Sequence, residues 1–121
     1  MNHKDLEVWK EAMGLAVEIY AVTKKFPKEE LYGLTSQMQR AAVSVPSNIA
    51  EGCARKSNKE TLRFLSIALG SLAELETQLI LSMHLSYIKD INSLIDKITK
   101  VRQLNLGLIK HIEKLINQQD V

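Results

Sequence analysis

The sequence predicts an all-α protein: an antiparallel up-down-up-down four-helix bundle, formed as a single domain over residues 1–121. Three observations carry this expectation. Apolar residues make up 45% of the chain but aromatics only 5%, and there are just two prolines, a composition that favours helices. Apolar positions recur every three or four residues through four long stretches. The segments between those stretches are short, and long helices joined by short connections pack antiparallel.

The first helix is expected over residues 5–25, with two seams. Leu6, Trp9, Met13, Ala16, Tyr20 and Thr23 form one; Val8, Ala12, Leu15, Ile19, Val22 and Phe26 form the other. Burial in a monomer core needs one stripe, so the second implies a partner subunit or a very wide groove. Phe26-Pro27 ends this helix, because the residue before proline disfavours the helical region. The second helix is placed over residues 35–54 with Thr35 as N-cap, a continuous helix from residue 28 being the alternative.

That second helix carries two parallel stripes. Leu34, Met38, Ala41, Ala42, Val45, Ile49, Gly52 and Cys53 are apolar and mostly small, allowing a neighbour to approach closely. Gln37, Arg40, Ser44, Asn48, Glu51 and Arg55 form a polar stripe beside them. Pro46 removes a backbone donor and is expected to kink the helix near Ala42.

Ser57 and Glu60 have the spacing of a capping box opening the third helix, which is expected to end near Tyr87. Its seam is Leu62, Leu65, Leu69, Leu72, Leu79 and Met83, with Glu76 in an apolar slot. Asp90 is positioned to cap the fourth helix, which reaches residue 117 through a heptad of Ile91, Leu94, Ile98, Val101, Leu108, Ile112 and Leu115. Asn105 takes one core slot of that heptad, where a buried asparagine can fix register. Gly107 costs about 1 kcal/mol against alanine inside a helix, so close packing is expected there.

The chemistry that these residues exclude is broad. None of His3, His84 and His111 has a glutamate three residues before it, so the di-iron pattern of helical bundles is missing and no metal or other cofactor is expected. Cys53 sits on the apolar stripe and reads as a small hydrophobe rather than a nucleophile. The five glycines are scattered and build no phosphate loop, and no motif marks an activated serine. No catalytic residue, enzymatic activity or small-molecule substrate is therefore expected. The N-terminus lacks the apolar segment of a signal peptide, and no apolar run is seen to approach the ~20 residues of a membrane span. With a single cysteine, this points to a soluble protein of a reducing cytoplasm.

Two clusters are candidates for function. Glu76 falls level with Ser36 and Gln37 across the second and third helices, with Arg40 roughly one turn away, and level with Val101 across the third and fourth, with Arg102 within reach. It forms either a ligand or phosphate site with Arg40 or an ion pair that sets register. The polar stripe Gln37, Arg40, Ser44, Asn48 and Glu51 is either a solvated face or a polar subunit interface. The second cluster is basic. The turn between the second and third helices shares an end with both termini, gathering Lys4, Lys10, Arg55, Lys56, Lys59, Arg63, Lys110 and Lys114. Asp5, Glu7, Glu51, Glu60, Glu113 and Asp120 share that end, leaving a small positive excess in a chain whose net charge is +2. Repeated in an oligomer, Arg55, Lys56, Lys59 and Arg63 would contact nucleic-acid phosphates rather than bases, because no aromatic platform is evident among them.

Gly33-Leu34, Gln37, Arg40-Ala41-Ala42, Ser44-Val45-Pro46 and Asn48-Ile49-Ala50-Glu51-Gly52, with Ser71-Leu72 and Glu74-Leu75-Glu76-Thr77-Gln78-Leu79, resemble one family. It is the four-helix-bundle family first noticed in intervening sequences of bacterial 23S ribosomal RNA genes, often labelled a ribosomal protein. The resemblance runs from Leu6 to Tyr87 and is most specific in Ser-x-Pro-x-Asn-Ile-Ala-Glu-Gly. The accessory variability proteins of diversity-generating retroelements are similar. The resemblance implies a barrel-like homopentamer and an RNA or DNA partner, and no biochemical activity. It favours the interface reading of the polar stripe, while Pro46 and Glu76 are expected to be oligomer-interface or structural residues. The function expected from sequence is thus a non-catalytic, oligomeric, nucleic-acid-associated protein, with a protein–protein assembly or adaptor module as the alternative.

Overall fold

A computed structural model describes residues 1–119 and contains four α-helices: α1 (Glu7–Thr23), α2 (Leu34–Ala54), α3 (Asn58–His84) and α4 (Asn92–Gln119). Short 3-10 turns at His3–Asp5 and Lys28–Glu30 precede α1 and α2. Each helix packs on the next and α1 packs on α4, closing the antiparallel up-down-up-down bundle that the sequence predicts.

In one of the two α1 seams Val8, Ala12, Leu15, Ile19 and Phe26 are buried; in the other Ala16 and Thr23 are buried while Met13 and Tyr20 are exposed. The apolar stripe of α2 is buried along its whole length, and the helix runs unbroken through Pro46. Gly52 lies close against α3: a Cβ there would lie 3.2 Å from both Phe64 Cβ and the Thr61 carbonyl oxygen. The Thr61 hydroxyl donates to the Gly52 carbonyl at 2.8 Å, tying the two helices beside their turn.

Local signals differ from expectation at several ends. Thr35 is buried and does not cap α2; Gly33 takes the N-cap position, and the Glu30 carboxylate accepts from the Leu34 amide at 3.2 Å. Only half of the capping box forms. The Ser57 hydroxyl accepts from the Glu60 amide at 3.1 Å, while the Glu60 carboxylate turns to Arg63 instead. α3 ends at His84 rather than Tyr87, because Ser86 adopts φ 65°. The Ser86 amide donates to the Met83 carbonyl and the Tyr87 amide to the Ser82 carbonyl, the paired bonds of a Schellman turn. Asp90 does act at the start of α4, accepting from the Asn92 amide at 2.9 Å.

The α3 seam is rotated from its expected line. Leu65, Leu72 and Leu79 are buried, but Ala68, Leu75 and Ser82 complete the inner face and Met83 is exposed. Asn105 is fully buried, as its heptad position implies, and its Nδ2 donates to the Leu65 carbonyl at 3.0 Å. Its Oδ1, like Gln78 Oε1, is buried without a partner among the described residues. Gly107 contradicts the close-packing expectation: it is exposed, and a Cβ built there would meet nothing within 4 Å. Helical period puts it on the outer face, where glycine only weakens the helix. α3 also revises the hydropathy reading, since an 18-residue window of mean hydropathy 1.4 makes it long and apolar enough to cross a membrane. Its inner face instead packs into the bundle, with Ser71 and Ser82 hydrogen-bonded there.

Candidate interaction surfaces

The polar stripe of α2 divides by depth. Towards α3, the Ser44 and Ser71 hydroxyls meet at 2.8 Å, and Asn48 Nδ2 donates to both the Ser44 carbonyl and its hydroxyl. These small residues form a hydrogen-bonded seam that pins α2 to α3. Further out, Glu51 pairs with Arg55 at 2.8 Å one turn along the same helix. Gln37 and Arg40 are exposed and make no side-chain hydrogen bond or ion pair among the described residues.

Glu76 selects Arg102, not Arg40. Its carboxylate receives Arg102 Nη2 at 3.0 Å, with side-chain exposures of 32% and 28%. The pair is half-buried, bridging α3 and α4 as a register clamp. No ligand or phosphate site forms between Glu76 and Arg40.

The basic end assembles as the topology demands. Met1 Sδ lies 3.9 Å from Cys53 Sγ, so the N-terminus does reach the α2–α3 turn. Cys53 is buried, and that burial pushes its thiol above the ordinary value despite the nearby terminal ammonium, which suits an unreactive core residue. Asp120 lies outside the described residues.

Within this cluster the four cations separate into two kinds. Arg55 pairs with Glu51 and Arg63 with Glu60, and both guanidinium carbons lie 4.7 Å from the centroid of the Phe64 ring. An aromatic group therefore does accompany the cluster, contrary to the sequence reading. The spacing that hides it is plain: Phe64 is adjacent to Arg63 but nine residues from Arg55, and only the helix turn brings Arg55 back onto it. Lys56 and Lys59 are exposed and form no ion pair among the described residues.

One surface groove was legible in the sequence only as a surplus of apolar residues. The outer α1 seam and one edge of α2 enclose a groove of about 650 Å³. Trp9, Met13, Val17 and Tyr20 form one wall, and Val43, Pro46 and Ala50 the other. Val17 is 68% exposed. Pro46 thus has a definite place: its ring lines this groove, at a position where the missing amide leaves α2 intact. Tyr20 and Val43 also border an adjoining hollow of about 440 Å³, where Ser36, Gln39, Arg40 and Ser44 supply polar walls.

Elsewhere charge serves the fold. Lys100 Nζ donates to Glu11 at 3.0 Å and Lys97 pairs with Glu18, joining α4 to α1. The Lys100 hydrogen bond holds the Glu11 carboxyl below its usual value, and the same bond raises Lys100. Among the described residues no group of three or more His, Cys, Asp or Glu side chains could hold a metal ion.

Four packed helices, paired surface charges and a buried thiol define a helical bundle with exposed surfaces suited to contact. More particularly, residues 4–107 match the model of the 23S rRNA-intervening sequence protein family, and the chain belongs to that family. Among solved structures it is similar to a protein of unknown function from the S23 ribosomal protein family of Bacteroides thetaiotaomicron VPI-5482. The two are 25% identical with a TM-score of 0.79, over 85% of this chain and 98% of that chain. No curated protein matches this sequence significantly.

Proposed function

We propose that this protein is an assembly module that works by self-association, the expected number of copies being five, as the resemblance seen in the sequence implies. The observation that carries the reading is the α1–α2 groove. A monomer gains nothing by presenting Trp9, Met13, Val17, Tyr20 and Val43 around one hollow, and apolar patches of this kind mark interaction sites. Light scattering behind a sizing column is the test. A complex at micromolar concentration is expected, and a clean monomer there refutes self-association.

A second reading is favoured by Lys56 and Lys59. Both flank the start of α3, beside exposed backbone donors and without carboxylate partners among the described residues. The matching family takes its name from intervening sequences in 23S rRNA, and a ring of copies would multiply these two cations into an RNA- or DNA-backbone surface. Titration with mixed RNA and DNA at low salt tests this, and absence of binding to both removes it. The proposal extends to a reducing cytoplasm as the site of action, which localisation of a tagged chain tests. Kinship with the accessory variability proteins of retroelements belongs to the same proposal. A reverse transcriptase gene beside this one supports that kinship, and a ribosomal RNA gene in its place counts against it.

A further inference from the structure

Arg55 and Arg63 stand apart from the other cations of the basic end, because each is held on two sides. Arg55 Nη2 donates to Glu51 Oε2 at 2.8 Å and Arg63 Nε to Glu60 Oε2 at 3.0 Å. Both guanidinium carbons also lie 4.7 Å from the centroid of the Phe64 ring. Phe64 is half-buried, and its Cβ stands 3.2 Å from where a Cβ on Gly52 would be, so the ring is anchored in the α2–α3 contact. The Arg55 and Arg63 side chains nevertheless keep 45% and 62% of their surface open. A guanidinium is flat. One whose edge bonds a carboxylate and whose face rests on a ring leaves its other face as a preorganised planar surface.

Ion pairing also separates what the four cations can attract. Glu51 and Glu60 offset the charge of the two arginines and repel phosphate beside them. Lys56 and Lys59 are exposed and carry no such offset among the described residues. Lys56 follows Arg55 directly, and Lys59 lies four residues before Arg63, a spacing that puts Cβ atoms about 5–6 Å apart on one helix face. Two flat, charge-offset groups therefore sit among two free cations around one turn. Stacked bases suit the first kind and phosphates the second. A duplex, whose bases already stack on one another, can use only the lysines.

We infer that the Arg55–Phe64–Arg63 stack binds single-stranded nucleic acid, with an unstacked base on an open guanidinium face and the neighbouring phosphates on Lys56 and Lys59. This site rests on the nucleic-acid reading of the basic end and adds bases to a contact that the sequence limits to the backbone. Every base has a π-face, so the stack selects strandedness rather than sequence.

Titration of the intact protein at low salt tests the site with three probes. They are a short mixed-sequence single strand in RNA and in DNA form, its duplex, and the same sugar–phosphate strand without bases. Wild type is expected to prefer the single strand to the duplex and to bind it about tenfold tighter than the abasic strand. Arg55→Lys together with Arg63→Lys keeps the charge but loses the plane. That variant should lose about tenfold in single-strand affinity, falling to the abasic level, with its salt slope unchanged. Lys56→Gln together with Lys59→Gln should instead flatten the slope by about 1.4, the share of two phosphates on a single strand, and keep the preference for bases. All four positions are exposed, and circular dichroism checks that both variants fold. A wild type that binds none of the probes overturns both this inference and the nucleic-acid reading. Equal binding with and without bases, a preference for duplex, or an affinity unmoved by the arginine-to-lysine pair overturns the stack while backbone binding stands.

Discussion

Glu30 is the residue to perturb first, because three elements meet at its carboxylate. Oε1 caps the Leu34 amide at 3.2 Å, and Oε2 accepts the Tyr87 hydroxyl at 2.8 Å from beyond the end of α3. Tyr87 also packs its ring at 5.5 Å from Phe26, so the clasp closes the end of the bundle opposite the termini. Glu30→Ala removes a helix cap, about 1 kcal/mol, and a half-exposed hydrogen bond to a charged group, about 1.5 kcal/mol. The expected loss is therefore about 2–3 kcal/mol, or roughly 8–12 °C in Tm for a chain of this size. Tyr87→Phe removes only the second bond and should cost about 1–1.5 kcal/mol. Urea melts of both single variants and the double variant measure the coupling, expected near 1 kcal/mol. The hydrogen bond that Tyr87 donates to Glu30 raises its phenol above the ordinary value of 10.0. A raised folded value means this stabilisation is fully present below the unfolded phenol's value and is lost as pH rises through the folded one. The stability gap between wild type and Tyr87→Phe should thus hold at pH 7–9 and shrink in stronger alkali. A coupling indistinguishable from zero, or a gap that does not change with pH, would refute the clasp.

Other expectations are simpler. Glu76→Ala should cost about 1 kcal/mol, since the pair with Arg102 is half-exposed and screened; the cycle should show coupling to Arg102 and none to Arg40. Asn105→Leu replaces a buried amide whose Oδ1 lacks a partner, so thermal melts should show unchanged or higher stability, by up to about 1–2 kcal/mol. A drop of several kcal/mol would mean that the amide's bond to Leu65 dominates. Changing Lys56 and Lys59 together to glutamate should leave helicity intact, and if nucleic acid binds, should weaken binding at all sequences and flatten its salt dependence. Because the Lys100 hydrogen bond lowers the Glu11 carboxyl, its stabilisation is present above the unfolded carboxyl value and fades as pH falls through the folded one. Glu11→Gln should therefore flatten the acid limb of the stability curve.

Helical period by itself determined the fold, because apolar residues three and four apart need only local geometry to share a face. It located the α2 core stripe, the Asn105 core slot and the close approach at Gly52, all of which depend on positions along one helix. The surplus seam of α1 and the Ser57 cap were legible for the same reason. What the tertiary structure decided is every choice between alternatives that one helix leaves equal. Glu76 had Arg40 about one turn away on one side and Arg102 within reach on the other, and helix packing settled on Arg102. The rotation of the α3 seam put Leu75 in the core in place of Glu76 and Ser82 in place of Met83, and left Ile67, Gly70 and Leu81 outside. Glu30 escaped notice because its partner Tyr87 is 57 residues away, and Phe64 because the α2–α3 turn brings Arg55 back to it. Sequence spacing fixes which residues share a helix face; only packing fixes where that face points, and with it which charges meet and which apolar seam stays open.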